Sequence, residues 1–352
     1  MTRLRLLAAA ATAAAVALAL SACGTTTVAD AGSDAPAKPT TAECKADTTT
    51  TDTGPVTITD GVGRTVELEH AAKRVAVLEW QQIEDALTLC ITPVAIADPE
   101  GYATYVTAEP VPTGVKSAGT REEPDLDAIY AQKPDLIIVE AFSADDEKVT
   151  RLLKRDVPVL VTKGSDTSDP IGNMKNVFST IAKATGRTER AEAVLKQFDE
   201  HLAKAKAKVA DVSLPTKKFL FFDGWIEGGN VVIRPYGQGA LFTALGEELG
   251  LEGAWTDDID KTYGSGGVDP AYGLGQTDIE GLTAVGDANL FFSNDETDES
   301  YVPELEKSPI WTALPSVKEK RAHAFPAGVW GAGGPKSNQL AIDAYVDTIL
   351  GS

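Results

Sequence analysis

Residues 121–139 read Arg121-Glu-Glu-Pro124-Asp-Leu-Asp127-Ala-Ile-Tyr-Ala-Gln-Lys-Pro134-Asp-Leu-Ile-Ile-Val139, a charged loop followed by a short helix and an apolar strand. Pro124 suits the first helical turn, where its missing N–H would have no partner in any case. Apolar residues then recur at i, i+3 and i+4, and Pro134 ends the helix. Residues 136–139 are continuously apolar, which is typical of a strand covered on both faces. The pattern therefore places Arg121 in a loop at the rim of an α/β layer.

Part of this pattern is repeated later in the chain. Asp278-Ile-Glu-Gly-Leu-Thr-Ala284 lies 153 positions downstream of Asp125-Leu-Asp-Ala-Ile-Tyr-Ala131. The apolar run at 290–292 corresponds in the same way to the run at 137–139. We interpret the repetition as two lobes built on one plan, each presenting a carboxylate on a helix near its outer end.

The first residues have the features of an export signal. Arg3 and Arg5 precede an apolar core of small residues that is too short to span a membrane comfortably, and the segment ends in Leu20-Ser-Ala-Cys23. Small residues before a cysteine resemble the lipobox of bacterial lipoproteins. The resemblance implies cleavage before Cys23 and lipid attachment to its sulfur, so that acyl chains hold the protein on the extracytoplasmic face of the cell membrane. The alternative is a plain signal peptide with an incidental cysteine.

Residues 24–54 are rich in Thr, Ala, Asp and Pro and contain almost no large apolar side chain. Such a composition buries too little surface to offset the entropy of ordering, so we expect a flexible tether. Once Cys23 is lipidated, Cys44 and Cys90 remain, and disulfides persist outside the cell. We therefore expect a Cys44–Cys90 disulfide that joins the tether to the first lobe. The alternative is a buried Cys90 thiol with Cys44 free.

Charge and length exclude several classes of protein. The chain has 352 residues and a net charge of −20, with a pI near 4.6, which argues against nucleic-acid binding. After the leader the chain is long enough for two domains and contains no second run that could cross a membrane. The expected boundaries are a signal peptide at 1–22, a tether at 23–54, an N-terminal α/β lobe at 55–168, a connecting helix at 169–187 and a C-terminal α/β lobe at 188–352.

Strands and helices alternate beyond a predicted hairpin at 56–68, and this alternation predicts parallel α/β sheets. The predicted strands of the two lobes are 74–80, 93–97, 136–139 and 158–161, followed by 219–222, 290–292 and 323–325. Asp169-Pro170 is a strong helix start, and Gly186 suits the end of that helix. Its position between the similar halves suggests that it connects them. Thr188 is expected to cap the next helix, and the last helix is expected from about 338 to 349.

Several segments together resemble the substrate-binding proteins of ATP-driven importers for ferric siderophores, haem and cobalamin. The matching segments are Val77–Trp80, Thr92–Val94, Gly119–Asp127 with Lys133–Ile137, Tyr236–Gly239 with Leu249–Leu251, and Gly333–Ser337. The similarity covers roughly residues 55–350 and is greatest to the iron-siderophore branch. It implies two Rossmann-like lobes joined by a single long α-helix, with the ligand in the cleft between them.

A ferric siderophore already supplies six oxygens to its iron, so its binding protein needs no metal ligands or cofactor of its own. It needs aromatic faces for the organic skeleton and arginines for the polarised oxygens. In the resembling hydroxamate-binding proteins an arginine before the Glu-Pro turn touches the ligand, which makes Arg121 the first candidate and Arg234 the second. The aromatic candidates, which follow predicted strands or lie in Gly-rich loops, are Trp80, Phe142, Trp225, Tyr236, Tyr263, Tyr272 and Trp330. A plain core position stays open for the tryptophans and the tyrosines. Arg121 could instead be a surface arginine paired with Glu122 or Glu123, and Arg234 could have a structural role.

The resemblance also implies a partner in the membrane. Family proteins carry an acidic residue on each lobe that docks onto arginines of the ABC permease, and these residues map to Asp127 and Glu280. Asp127 is shorter than the usual glutamate, so Glu123 is a possible substitute. Solvated first-turn carboxylates favoured by the helix dipole are the alternative reading of both positions. We expect a monomer.

Other functions fit less well. The three histidines, His70, His201 and His323, are scattered rather than clustered, and no Gly-x-Ser-x-Gly motif indicates a hydrolase. The glycine spacing before Lys336 is wrong for a phosphate-binding loop. A haem or cobalamin carrier of the same fold stays open, because a tyrosine of the candidate set could serve as an axial haem ligand. An enzyme anchored in the cell envelope is the alternative from another class.

Overall fold

The structure, a computed structural model, describes residues 41–294 and 296–351. The leader and the lipidation candidate Cys23 lie outside these residues. The strands, named in chain order, are β1 Val56–Thr59, β2 Thr65–Leu68, β3 Val75–Val77, β4 Ala95–Ile96, β5 Lys116–Ser117, β6 Leu136–Glu140, β7 Val159–Thr162, β8 Lys218–Glu227, β9 Asn230–Pro235, β10 Glu252–Gly253, β11 Asn289–Phe292 and β12 Ala322–Ala324.

The helices are named in the same way. They are α1 Ala42–Ala46, α2 Trp80–Thr88, α3 Pro99–Tyr105, α4 Leu126–Ala131, α5 Glu147–Leu152, α6 Pro170–Ala184, α7 Thr188–Val209, α8 Leu241–Glu248, α9 Asp257–Tyr263, α10 Val302–Lys307, α11 Pro309–Ala313, α12 Pro315–Lys318 and α13 Pro335–Gly351, with a 3-10 helix at Ile279–Val285.

The first lobe is built on a five-stranded parallel sheet with the strand order β5-β4-β3-β6-β7. Its central strands are buried on both faces, as their continuous apolar sequences predict. The short edge strand β5 was not anticipated, because its two residues are exposed and polar. The β1–β2 hairpin forms a separate antiparallel pair, as the alternating pattern at 56–68 predicts.

The second lobe repeats this arrangement. Its parallel strands follow the order β10-β8-β11-β12, and β9 adds to β8 in an antiparallel hairpin through Gly228-Gly229. Strand β11 pairs with β8 as β6 pairs with β3, so the runs 290–292 and 137–139 occupy equivalent central positions. The predicted fold class, two lobes of one α/β plan, is therefore correct.

The two repeated segments, 125–131 and 278–284, both begin with a capping aspartate but form different types of helix. Asp125 accepts a hydrogen bond from the Ala128 N–H at 3.0 Å, and Asp278 accepts one from the Gly281 N–H at 3.3 Å. The first segment continues as α4, whereas the second is a 3-10 helix rather than the expected α-helix. Gly281 lies against Thr277, and a side chain there would collide with the threonine hydroxyl.

Helices α6 and α7 both contact the cores of the two lobes. In α6, Met174 packs in the second-lobe core, whereas Phe178 and Ile181 pack in that of the first lobe. Helix α7 runs back, with Val194 in the first-lobe core and Phe198 in the second. The lobes are thus joined by a pair of long helices, of which the predicted connector at 169–187 supplies the first. Arg187, not Thr188, is the cap residue of α7, which begins at Thr188.

A buried carboxylate joins α2 of the first lobe to the start of α13. Glu84 accepts hydrogen bonds from the backbone N–H groups of Gly334, Lys336 and Ser337 at 2.9–3.1 Å and from the Ser337 hydroxyl at 2.6 Å. These are N–H groups of a helix N-terminus, which have no partner within their own helix. Helix α13 therefore begins at Pro335, three residues before the predicted start at 338.

The structure holds residues 41–54 against the first lobe. Cys44 and Cys90 form a disulfide, and Asp47 pairs with the buried guanidinium of Arg187. Glu43 reaches Lys336 at 2.8 Å. The flexible tether was expected to extend to residue 54, but this part of it is fixed. The composition did not show this, because polar bonds and a disulfide rather than apolar burial hold the segment.

Candidate functional site

Arg121 lies in a tight loop that follows β5. Gly119 has a φ of +86°, which glycine adopts without strain, and Gly119 forms an isolated antiparallel bridge with Pro124. A Cβ at Gly119 would lie 2.6 Å from the Asp125 backbone nitrogen, so the loop could not close with a larger residue there. The Thr120 hydroxyl accepts from the Glu123 N–H at 2.9 Å. The loop therefore fixes Arg121 at its tip.

The Arg121 guanidinium contacts an acid and two indole rings. Its Nε lies 2.7 Å from Oε1 of Glu79, and its Cζ lies 4.1 Å from the ring centroid of Trp80. The ring of Trp330, from the second lobe, is 5.7 Å from the same Cζ. Both distances are those of cation–π contacts, which hold a guanidinium flat and leave its edge free to donate. About a quarter of the Arg121 side chain remains accessible.

Three aromatic rings form one wall of the cleft. Trp80 packs edge-on against Trp330 with centroids 4.8 Å apart, and it stacks on Tyr105 at 5.6 Å. Trp80 is the first residue of α2 and comes three residues after the end of β3, and Tyr105 ends α3. Because Trp330 comes from the second lobe, the wall is built by both lobes.

The facing wall comes from the β8–β9 hairpin. Arg234 forms a two-pronged pair with Asp223, with Nε–Oδ1 at 2.8 Å and Nη2–Oδ2 at 2.6 Å, and the Tyr236 hydroxyl donates to the same carboxylate at 3.1 Å. Burial alone would lower the pKa of Arg234, but the adjacent Asp223 carboxylate raises it above its ordinary value. Arg234 is therefore a permanent cation whose charge is largely matched within its own lobe. Trp225 lies beside it, 5.9 Å from ring centroid to Cζ.

At the far end of the cleft, Glu140 of the first lobe meets Tyr272 of the second. The Tyr272 hydroxyl donates to Oε1 of Glu140, and Phe142 packs edge-on against the tyrosine ring at 5.7 Å. Burial, with a smaller contribution from the negative charge of Glu79, raises the pKa of Glu140 to about 7. Burial and the Glu140 charge likewise raise the pKa of Tyr272, so its phenol stays protonated.

These groups line two adjoining cavities of about 280 and 300 Å³. Both are bordered by Arg121, Arg234, Tyr236 and Trp330, so together they form one continuous cleft. In the first lobe, Glu79, Trp80 and Glu140 lie at the carboxyl ends of β3 and β6, where open α/β sheets bind their ligands, whereas the second lobe contributes the β8–β9 hairpin. The cleft is partly apolar and walled by rings, with a few charged groups at fixed positions.

The structure brings most of the predicted site residues together. Those that line the cleft are Arg121, Trp80, Trp225, Arg234, Tyr236, Tyr272 and Trp330. Phe142 is 42% exposed and reaches the site through Tyr272 rather than lining a cavity. Tyr263, at the end of α9, is 44% exposed and lines neither cavity, so the structure does not bring it together with the other candidates and its role stays a prediction. The Gly-rich sequence around Tyr263 does not reveal which way its loop turns.

Sequence reasoning missed several cleft residues, among them Glu79, Tyr105, Glu140, Asp223 and Asp269. Glu79 and Glu140 could have been found from the sequence, because each is a charged residue at the end of a continuous apolar run. Asp223 follows the apolar run 219–222 in the same way. Nothing in the sequence around Tyr105 indicates that α3 carries it to Trp80.

The predicted docking carboxylates lie on the surface. Asp127 is in the first turn of α4, with its side chain 95% accessible and 3.6 Å from a guanidinium nitrogen of Arg155. Glu280 is in the first turn of the 3-10 helix and is also exposed, as is Glu123. The ion pair of Asp127 is long and solvated, so the carboxylate stays available to another cation.

The described part of the chain shows neither a cluster of metal-ligating side chains nor a helix that could span a membrane. Within 41–294 and 296–351, no three His, Cys, Asp or Glu side chains are grouped so that they could hold a metal ion. In the same residues, every helix is too short or too polar to cross a membrane. His201 pairs with Asp343 at 2.9 Å, and His323 packs on the ring of Phe291.

Relatives of the chain support a binding role. It is 26% identical to the iron(3+)-hydroxamate-binding protein FhuD of Escherichia coli, over 74% of this chain and 83% of the relative. It is 26% identical to the Fe(3+)-citrate-binding protein YfmC of Bacillus subtilis, over 78% of this chain and 79% of the relative. The crystal structure of the Fe3+-Desferal-bound siderophore-binding protein FhuD from Vibrio cholerae is 25% identical. It superposes with a TM-score of 0.62 over 79% of this chain and 98% of that protein. A family description of periplasmic binding proteins matches residues 75–327, nearly three quarters of the chain. The chain belongs to the periplasmic binding protein family.

Proposed function

We propose that this protein is the substrate-binding component of an ABC importer, and that it captures a ferric hydroxamate siderophore outside the cell and delivers it to the membrane permease. The observation that carries the proposal is the Arg121 guanidinium, held against the rings of Trp80 and Trp330 in a cleft between two lobes. The relative named for iron(3+)-hydroxamate supports this class of cargo, and the relative named for Fe(3+)-citrate supports a chelated ferric ion more generally.

The chemistry of the cleft fits an iron atom that arrives already caged. The ring faces of Trp80, Tyr105 and Trp330 can pack an organic skeleton, and the free edge of Arg121 can donate to hydroxamate oxygens. Iron is then the cargo, enclosed by the ligand, and the protein adds no donor atom to it. The protein turns nothing over, and it returns the ferric complex unchanged when the ligand dissociates.

The tyrosines argue against haem as the preferred ligand. An axial tyrosine binds iron as a phenolate. The Tyr236 hydroxyl donates to Asp223 and the Tyr272 hydroxyl donates to Glu140, and the pKa of each phenol is raised, chiefly by burial. Both phenols are therefore held in the protonated form, which is a poor iron ligand.

Arg121→Ala tests the proposal. We expect it to weaken binding of a ferric trihydroxamate at least tenfold, about 1.4 kcal/mol, because the donors to the hydroxamate oxygens are lost. The measurement is tryptophan-fluorescence quenching of the full-length protein, since Trp80 and Trp330 lie in the cleft. Arg155→Ala is a matched control, because its guanidinium also stacks on a ring, that of Tyr130 at 4.8 Å, outside both cavities. Equal affinities of the Arg121 variant and the wild type would remove Arg121 from the site.

The proposal includes attachment to the membrane through Cys23 and action as a monomer. Growth with radiolabelled palmitate should label the wild-type protein and leave Cys23→Ser unlabelled. Labelling of both proteins would show that the lipid is attached elsewhere.

A further inference from the structure

The charged groups of the cleft are unequal in number. Two arginines and four carboxylates line the two cavities: Arg121, Arg234, Glu79, Asp223, Glu140 and Asp269. Arg121 is paired with Glu79 at 2.7 Å, and Arg234 is paired with Asp223 at 2.6 and 2.8 Å. Each guanidinium charge is therefore matched by one acid before a ligand enters, and Glu140 and Asp269 are left over.

Glu140 occupies a fixed position at the cleft end of β6. Its carboxylate accepts from the Tyr272 hydroxyl, and the glycine at position 164 makes room for both groups, because a Cβ there would collide with each of them. The other groups that act on its charge are Glu79, Gln82 and the more distant Lys148. Lys148 lies on α5 rather than in the cavity lining, and the cation of the lining that acts on Tyr272 is Arg121, which is itself paired with Glu79.

We propose that Glu140, assisted by Asp269 at the rim, makes the cleft selective for ferric hydroxamate complexes that carry a protonated amine, and that it disfavours complexes with negative charge. This inference rests on the proposed function and specifies its ligand. Neither arginine of the cleft is paired with Glu140, so the ammonium group of a ligand can form that ion pair. An anionic complex meets these two carboxylates with no uncompensated positive charge to offset them, because the charges of Arg121 and Arg234 are already matched by Glu79 and Asp223.

A matched series of ligands tests the proposal without any mutation. The probes are ferric desferrioxamine B, whose free amine is protonated, and its N-acetyl and N-succinyl derivatives, which share the same iron cage but end in a neutral and an anionic group. The full-length protein is titrated with each probe by fluorescence quenching at pH 8. We expect the amine form to bind at least tenfold more tightly than the succinyl form, with the acetyl form between them.

The variant Glu140→Gln assigns the effect to this residue. It should bring the amine and acetyl affinities within about twofold of each other while the acetyl complex still binds. Asp258→Asn is the control, because Asp258 is an exposed carboxylate of the same protein that lies outside both cavities, and it should leave the ratio unchanged. If the ratio persists in Glu140→Gln, the assignment to Glu140 is overturned.

The titration of Glu140 allows a second test on the wild-type protein, the pH dependence of the affinity ratio. Because its pKa is raised to about 7 by burial and by Glu79, Glu140 is mostly neutral at pH 5.5 and mostly charged at pH 8. The amine-to-acetyl affinity ratio should therefore grow several-fold between these pH values. Equal affinities for all three complexes at both pH values would overturn the charge selectivity and leave the proposed function intact. Failure to bind any of the three would contradict the proposed function itself.

Discussion

Glu109 is a buried carboxyl group whose titration should be visible in the stability of the whole protein. It is only 4% exposed, and burial raises its pKa from 4.5 to about 7. In the unfolded chain the proton leaves near pH 4.5, so between pH 5 and 7 the native state binds more protons than the unfolded state. The free energy of unfolding then falls as the pH rises through this range. Above pH 7 both states have lost the proton, and the decrease is complete.

We expect the free energy of unfolding to be higher at pH 5.5 than at pH 7.5, with about 1–2 kcal/mol of the difference due to Glu109. Chemical denaturation at the two pH values measures this difference, and Glu109→Gln should reduce it by that amount. Glu43 and Asp47 have lowered pKa values, so both are ionised throughout this range and do not oppose the trend. Identical pH dependence in the variant and the wild type would show that Glu109 titrates normally.

Some residues of the cleft could be predicted from the sequence, whereas the pairings between them could not. Arg121 and Trp80 follow from strand ends, a Glu-Pro turn and the family resemblance, and both line the cleft. The pairing of Arg234 with Asp223 could not be foreseen, because the two residues meet only through the register of the β8–β9 hairpin. The same holds for Glu140 and Tyr272, which are 132 positions apart and come from different lobes. Contacts between lobes depend on tertiary geometry that no local pattern encodes.

At the scale of elements, the strongly patterned segments were predictable. Helix α6 begins at Asp169-Pro170 and ends before Gly186, as its cap signals indicate, and the apolar strands β3, β6 and β7 form the centre of the first sheet. The two-residue strands β5 and β10 carry no such pattern and exist because a neighbouring strand offers its edge. The 3-10 helix at Ile279–Val285 was also not predicted, because its sequence pattern is equally compatible with an α-helix.

The segment 41–54 is held in place by polar contacts to Arg187, Glu189 and Lys336 and by one covalent bond, the Cys44–Cys90 disulfide. The double variant Cys44→Ala, Cys90→Ala should lower the free energy of unfolding by about 3–4 kcal/mol, since the bridge closes a loop with a sequence separation of 46. Denaturation midpoints of the variant and the oxidised wild type measure this loss. Thiol titration of denatured, unreduced protein is the companion measurement. Two free thiols per chain would show that the bridge does not form.

At the scale of the whole molecule, the two lobes touch at several points around the cleft. Thr107 of the first lobe donates from its N–H and its hydroxyl to the Gly328 carbonyl at 3.2 and 3.1 Å, and the Thr167 hydroxyl donates to the Pro270 carbonyl at 3.3 Å. Glu84 binds the start of α13 from the first lobe. Specific hydrogen bonds therefore fix how the lobes sit relative to each other. A permease that binds one carboxylate on each lobe would depend on this arrangement, because it sets the distance between the two carboxylates.

Reversing both docking charges tests that recognition. Asp127 and Glu280 lie in equivalent first turns of the two lobes, each after an aspartate that caps its helix, and both are exposed. Arginines of the permease would pair with both at once, so Asp127→Lys with Glu280→Lys replaces two attractions by two repulsions. We expect this double variant to bind the ferric complex as the wild type does, because neither residue lines the cleft. Uptake of the radioiron-labelled complex by cells carrying only the variant should fall to the level of cells without the protein.

Single variants then locate the contact on the first lobe. If Glu123 substitutes for the shorter Asp127, Glu123→Lys will reduce uptake more than Asp127→Lys does. The matched control is Glu192→Lys with Glu200→Lys, which reverses two exposed charges on α7 and so changes the net charge equally. Because long-range repulsion depends on net charge and docking depends on position, the control should retain uptake. Full uptake by the Asp127 and Glu280 double variant would rule out these carboxylates as the permease contact, whatever the cleft binds.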